Sequence, residues 1–356
     1  MKKGISLYVG LNNTAEENLI LLHKAAAMGI SRVFTSLHIP ESNPLTVKAE
    51  LTELFKEVKS HHMEIISDIS PKTQELFGLD EISPKVLKDL GITTVRFDFG
   101  YDIDEIARFS QDMRVQINAS TITTSELNEL CEAGASFSNM DALHNYYPRP
   151  HTGLSEEFFL EKTQLLQQAG MTVGAFVPSK YGRRGPIFAG LPTLEMHRPF
   201  ESGLAARHLA ILGLDSIFIG DSTPSEKELQ EVAGLDEDVI VLKARLLSKD
   251  PDVKALLSHT FTERYDASQD AVRTLESRGL AEATPIYADE TVILDREPGD
   301  ITVDNIGYSR YMGEVQILLT PQDADKRTNI AARVLPEERF LLPYIAPGAR
   351  FRFQFV

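Results

Sequence analysis

Arg114-Val-Gln-Ile-Asn-Ala-Ser120, followed by Ser125-Glu-Leu-Asn-Glu-Leu-Cys-Glu-Ala-Gly134, is the unit from which the fold is read. Its first part alternates apolar and polar residues with the period of a strand. Its second part carries a helical apolar pattern and closes on a glycine, the residue that most readily turns a chain out of a helix. Working outward, strands are expected at 4–9, 31–38, 63–69, 93–99, 114–120, 135–139, 172–177 and 215–220. Helices are expected at 14–28, 45–61, 84–90, 102–110, 125–133, 155–169, 200–212 and 225–233, most with a glycine just beyond. Eight strand–helix units in about 235 residues have the number and size of an α/β fold of the (β/α)8 TIM-barrel type. A doubly wound open sheet is the competitor, but no G-x-G-x-x-G follows the first strand, and there is no Walker A sequence.

Beyond residue 235 the pattern changes. Short strands are expected at 284–288, 291–294, 301–306, 314–319, 339–343 and 350–356, preceded by one helix at 268–278. Pro285 puts the first of these strands at an edge or start. The chain therefore divides into a catalytic barrel, 1–235, and a smaller mostly-β domain, 236–356.

Bulk composition narrows the function. The net charge is −16 with no basic block, which argues against a nucleic-acid partner. No apolar run approaches the ~20 residues of a membrane span, and no leader pattern is seen. One cysteine, Cys131, excludes an internal disulfide framework and reads as a small core residue in a helix. A reducing cytoplasm is the expected compartment, and no cofactor is called for.

Strand alternation separates side chains that meet the outer helices from those that point to the barrel axis. The inward set is Ser6 and Tyr8; Phe34, Ser36 and His38; Ile66 and Asp68; Arg96 and Asp98; Gln116, Asn118 and Ser120. Its polar members gather at the strands' C-terminal ends, the active face of this fold. Buried carboxylates need a reason. Asp68 and Asp98, on neighbouring strands, are the first candidates for a glycosidase pair, since adjacent carboxyls push one pKa up. Arg96 could instead neutralise them as a structural pair. Glu41 and Glu195 are reserve candidates for the acid.

Two loops add binding groups. The first, Met140-Asp-Ala-Leu-His-Asn-Tyr-Tyr-Pro-Arg-Pro-His151, offers aromatic rings and Arg149. The second runs from Tyr181 to Arg198. It mixes glycines, prolines and Arg183, Arg184 and Arg198 with apolar residues, and reads as an ordered loop presenting cations to an anion. His38, His144, His151 and His197 raise a metal reading, but no H-x-H or H-E-x-x-H supports it.

These strings are similar to those of a known family. Phe34-Thr-Ser-Leu-His-Ile-Pro-Glu41, Arg96-Phe-Asp-Phe-Gly100, His144-Asn-Tyr-Tyr-Pro-Arg149, Gly190-Leu-Pro-Thr-Leu-Glu-Met-His-Arg198 and Asp300-Ile-Thr-Val-Asp-Asn-Ile-Gly-Tyr-Ser-Arg-Tyr-Met-Gly-Glu314 resemble the bacterial 6-phospho-N-acetylmuramidases. The resemblance spans the chain. It implies a TIM barrel with a C-terminal cyclophilin-like domain. It also implies hydrolysis of N-acetylmuramic acid 6-phosphate–β-1,4-N-acetylglucosamine inside the cell during cell-wall recycling. Such a doubly anionic substrate fits the loop cations. Substrate contacts are expected from Tyr8, His38, Asn118, His144, Asn145, Tyr147, Arg149, Arg183, Arg184, His197 and Arg198. Tyr308 and Arg310, from the second domain, are expected at the barrel mouth. The expected partner is the phosphorylated disaccharide, with a second copy of the chain possible. Two other readings stay open: a metal-dependent barrel hydrolase using the histidines, and a non-catalytic sugar-phosphate binder.

Overall fold

The computed structural model describes residues 1–11, 13–37, 44–97, 101–282, 284–289 and 295–356. His38, Glu41 and Asp98, and the strand expected at 291–294, lie outside the described residues. The chain divides into two compact units, Met1–Leu235 and Asp236–Val356.

The first unit is a closed barrel of eight parallel strands in sequence order. These are β1 (Lys2–Ser6), β2 (Arg32–Ser36), β3 (Glu64–Ile69), β4 (Thr94–Phe97), β5 (Arg114–Asn118), β6 (Met140–Leu143), β7 (Thr172–Val177) and β8 (Ser216–Ile219). Its helices are α1 (Ala15–Ala27), α2 (Pro44–Ser60), α3 (Pro71–Phe77), α4 (Pro84–Leu90), α5 (Ile103–Asp112), α6 (Thr124–Glu132), α7 (Glu156–Gln168), α8 (Ser202–Ile211) and α9 (Glu226–Ala233). Four helix starts are fixed by reciprocal capping boxes: Thr14 with Glu17, Asp102 with Glu105, Thr123 with Glu126 and Ser225 with Glu228. Each satisfies orphan amides of the first turn. Gly91 closes α4 in the left-handed region at φ 99°, whereas Gly234 after α9 stays at φ −84°.

The alternation holds around the barrel. Ile5, Ile65, Val95, Val115 and Ile217 pack against the helices, while Phe34, Ile66, Leu143, Phe176 and Phe218 form a separate interior cluster. Gly4 is required on β1, because a Cβ there would lie 2.2 Å from the Phe218 ring. Beneath the apolar cluster sits an ionic layer at the N-terminal ends of the strands. Arg32 reaches Glu64 at 2.9 Å and Asp141 at 2.6 Å. Gln116 donates to Asp141 and Thr94 to Glu64. Burial alone would raise the Glu64 pKa; Arg32, Thr94 and their neighbours lower it on balance. Removing one partner from such a buried pair costs about 3–5 kcal/mol, because the other charge is left uncompensated.

Several expectations are corrected. The sixth strand is Met140–Leu143, whereas residues 137–139 form a 3-10 turn. The slip arises because Ala135 and Phe137 pack on the helical layer as loop residues. Cys131 is exposed: Leu127 and Leu130 take the core positions of α6 and turn it to solvent.

The second unit holds one seven-stranded sheet, ordered β10-β15-β9-β14-β12-β13-β11. Its strands are β9 (Ile240–Leu246), β10 (Thr260–Thr262), β11 (Ala271–Arg273), β12 (Asp300–Asp304), β13 (Val315–Leu318), β14 (Thr328–Val334) and β15 (Arg350–Phe355). Two short helices accompany it, α10 (Pro251–Leu257) and α11 (Ser277–Ala281). The helix expected at 268–278 is instead β11, where pairing of Ala271 and Val272 with Leu318 and Ile317 overrides local preference. Residues 284–288 form no strand, and 339–343 lie in a 3-10 segment, Pro336–Tyr344.

Candidate functional site

The C-terminal ends of β3, β4 and β6 bring three predicted groups together. Asp68, near the end of β3, is registered beside Arg96 on β4. The Arg96 guanidinium lies 3.2 Å from the Asp68 carboxylate. Arg96 also donates to the Leu143 carbonyl at 2.9 Å and to the Asn145 side-chain oxygen. It is 4% exposed, so this charge is held by protein groups. Asn118, at the end of β5, accepts from the Ser120 amide.

A second cluster lies across the loops after β6 and β7. The Arg184 guanidinium sits 4.6 Å from the Tyr8 ring centre and 4.9 Å from that of Tyr146. It donates to the Tyr146 hydroxyl at 2.8 Å. Its Nε is buried with no hydrogen-bond partner among the described residues. Tyr146 stands edge-on to Phe34 and Phe176, closing the interior cluster from above. Tyr8 is buried and donates to the Gly220 carbonyl at 2.8 Å. Burial holds its pKa well above the usual value. Its ring supports the Arg184 guanidinium from within the barrel.

The loop around Arg184 is organised by Asp221, which sequence reasoning missed. That carboxylate, directly after Gly220 at the exit of β8, accepts from the amides of Ser179, Arg184 and Leu191. Burial raises its pKa although the three amides act the other way. Glu228 backs the same loop, accepting from Ser179, Lys180 and Ser202. Position at a strand exit was the available signal for Asp221; the Ser225-x-x-Glu228 spacing marked Glu228 as a helix cap but not as a partner of the loop after β7.

Other predicted residues have structural duties. Glu195 pairs with Arg198 at 2.6 Å and accepts from the amides of His151 and Gly153. The Arg198 hydrogen bond, with these amides, lowers its pKa to about 2, so it holds no proton to donate near neutral pH. Arg198 further donates to the carbonyls of Gly190, Tyr147 and Arg149. The pair clamps the two loops together. His144 and His197 are both fully buried. His144 is buried against Phe159 and bonded to Ser120 and Thr163; burial lowers its pKa to about 3. His197 is buried against His208, its pKa also lowered by burial.

Arg149 is exposed, and Arg183 donates through Nε to the Ser179 carbonyl. The Tyr147 amide donates to Pro192. Within the second unit, Tyr308 donates to Asp325 under the Arg327 guanidinium, and Arg310 donates to the Tyr311 hydroxyl.

A closed parallel barrel with a carboxylate, an amide and guanidinium groups at its C-terminal rim, carried with a mostly-β domain, is the architecture of a TIM-barrel enzyme. Residues 3–234 match the family model of the 6-phospho-N-acetylmuramidase N-terminal domain, and residues 240–354 that of its C-terminal domain. The chain belongs to the 6-phospho-N-acetylmuramidase family, and is a glycosidase by that membership. It is similar to an uncharacterized B. cereus protein of known structure, with 28% identity, 99% of each chain covered and a TM-score of 0.88. It is also similar to a conserved Enterococcus faecalis protein of unknown function, with 36% identity, 100% of this chain and 96% of that one covered, and a TM-score of 0.78. No curated protein matches it.

Proposed function

We propose that this chain hydrolyses N-acetylmuramic acid 6-phosphate–β-1,4-N-acetylglucosamine to its two sugars in the cytoplasm, as a step of cell-wall recycling. The observation that carries this reading is the family match across both units, at residues 3–234 and 240–354. The site's chemistry supports it. A substrate bearing a phosphate and a lactyl carboxylate must be held locally by cations on a protein of net charge −16. Arg149, Arg183 and Arg184 supply them on the loops after β6 and β7. Arg184 is already held by Tyr8 and Tyr146, and its Nε, without a hydrogen-bond partner among the described residues, offers one more donor. A single free thiol at Cys131, with no disulfide framework, fits a reducing compartment.

Asp68 and Asp98 are the carboxylate pair. Asp68, beside Arg96, acts in its ionised form as base or nucleophile. Asp98, two positions beyond Arg96 in the chain, protonates the leaving sugar. Asn145, tied to Arg96, keeps the guanidinium aimed at Asp68. The test is Asp98→Asn on the phosphorylated disaccharide. A fall in kcat of about 10²–10⁴-fold with little change in KM is expected for loss of general acid catalysis. Wild-type turnover would remove Asp98 from the mechanism.

A further inference from the structure

We propose that His23, Glu57 and His61 form a divalent metal site on the outer surface of the barrel, bridging α1 and α2. One ligand atom from each lies within 4.8 Å of the other two. The local sequence explains the convergence. Glu57 and His61 are four residues apart, and the His61 amide donates to the Glu57 carbonyl at 3.2 Å. Helical geometry thus continues one residue past Ser60 and puts both side chains on one face. His23 comes from the exposed flank of α1, whose opposite side buries Leu21, Leu22 and Ala25. Its Nε2 lies 3.6 Å from the Glu57 carboxylate, and the two imidazole centres are 5.1 Å apart.

The donor set selects the ion. Two imidazole nitrogens and one carboxylate oxygen suit a borderline first-row ion such as zinc, with water completing the tetrahedron, and not calcium or magnesium. Bonds of about 2.0–2.1 Å put neighbouring ligand atoms ~3.4 Å apart. Both histidines are exposed, so small side-chain rotations close that gap.

Position separates this site from the chemistry. His61 lies three residues before β3 begins at Glu64, and His23 lies in the last half of α1. Both belong to the rim where helices return to strand starts, the face that serves stability in this fold. A metal here links two neighbouring helices that otherwise meet through side-chain packing. Its effect is on stability and not on turnover.

The test uses the full chain, stripped with chelator and titrated with ZnCl2 in a calorimeter, with Tm followed in parallel. One zinc per chain and a rise in Tm are expected. His23→Ala and His61→Ala should each weaken binding at least tenfold and abolish the rise, and Glu57→Gln should weaken it less. His62→Ala serves as a control for the adjacent imidazole and should bind as wild type does. Cobalt substitution should give tetrahedral visible absorption that His23→Ala removes. Because the three side chains are at the surface, circular dichroism of the variants should match wild type. No binding above that of the double variant His23→Ala/His61→Ala, or binding that survives both substitutions, overturns the site. Turnover that falls on chelation and returns with zinc overturns its assignment to stability.

Discussion

Arg184 joins the loop after β7 to the aromatic groups at the top of the barrel interior. Its guanidinium touches two rings, donates to one hydroxyl and keeps a buried Nε that has no partner among the described residues. A donor left unmatched in a buried setting is costly unless a ligand meets it. Arg184→Met is expected to raise KM for the phosphorylated disaccharide by about tenfold or more, the scale of a lost charge-assisted hydrogen bond, while kcat changes less. Steady-state kinetics checks this, and an unchanged KM removes Arg184 from phosphate recognition. Residue identity on the inward face was legible from alternation alone: Asp68 and Arg96 follow from the apolar partners on either side. The duties of Glu195, Arg198, His144 and His197 were not. Glu195 and Arg198 pair locally, but the loop groups they clamp, and the partners of His144 and His197, come from other elements, such as Thr163 on α7 for His144, and composition carries no trace of those pairings.

At the scale of elements, a carboxylate from the loop after β8 anchors the loop after β7, alongside Glu228. Asp221 satisfies three amides of residues 179–191, and a bridge joins Gly182 to Thr223. Asp221→Ala strands these amides. A stability loss of about 2–5 kcal/mol is expected in chemical denaturation. KM should rise as well, since Arg184 loses its backbone anchor. A variant as stable as wild type would contradict this role. Element existence was legible in the barrel because each strand–helix unit repeats one grammar with a glycine close. It was less legible in the second unit. The three-residue strands Thr260–Thr262 and Ala271–Arg273 are too short to show a period, and partners distant in sequence create them.

The whole molecule carries opposed responses to acid in its two units. In the barrel, burial lowers the pKa of His144 to about 3 and of His208 to about 4, with His197 lowered too. An unfolded imidazole takes its proton near 6.5, so between these values the unfolded chain binds more protons. Barrel stability is therefore complete above about pH 6.5 and is lost progressively toward pH 3, by on the order of a few kcal/mol. In the second unit, burial raises Glu263 to about 7 and Asp304 to about 6. There the folded state holds the extra protons, and stability declines as pH rises from about 4 to 7. Denaturation midpoints from pH 7.5 to 4 should fall for the barrel, and His144→Gln should flatten that fall. An unaltered slope would contradict the assignment.

Whether the molecule is a phosphoglycosidase is decided by its products. The protein is incubated separately with N-acetylmuramic acid 6-phosphate–N-acetylglucosamine and with the same disaccharide lacking phosphate, and products are followed by mass. The account predicts release of N-acetylglucosamine and N-acetylmuramic acid 6-phosphate from the first, with at least tenfold slower cleavage of the second. Intact phosphorylated disaccharide, or equal cleavage of both, would contradict it.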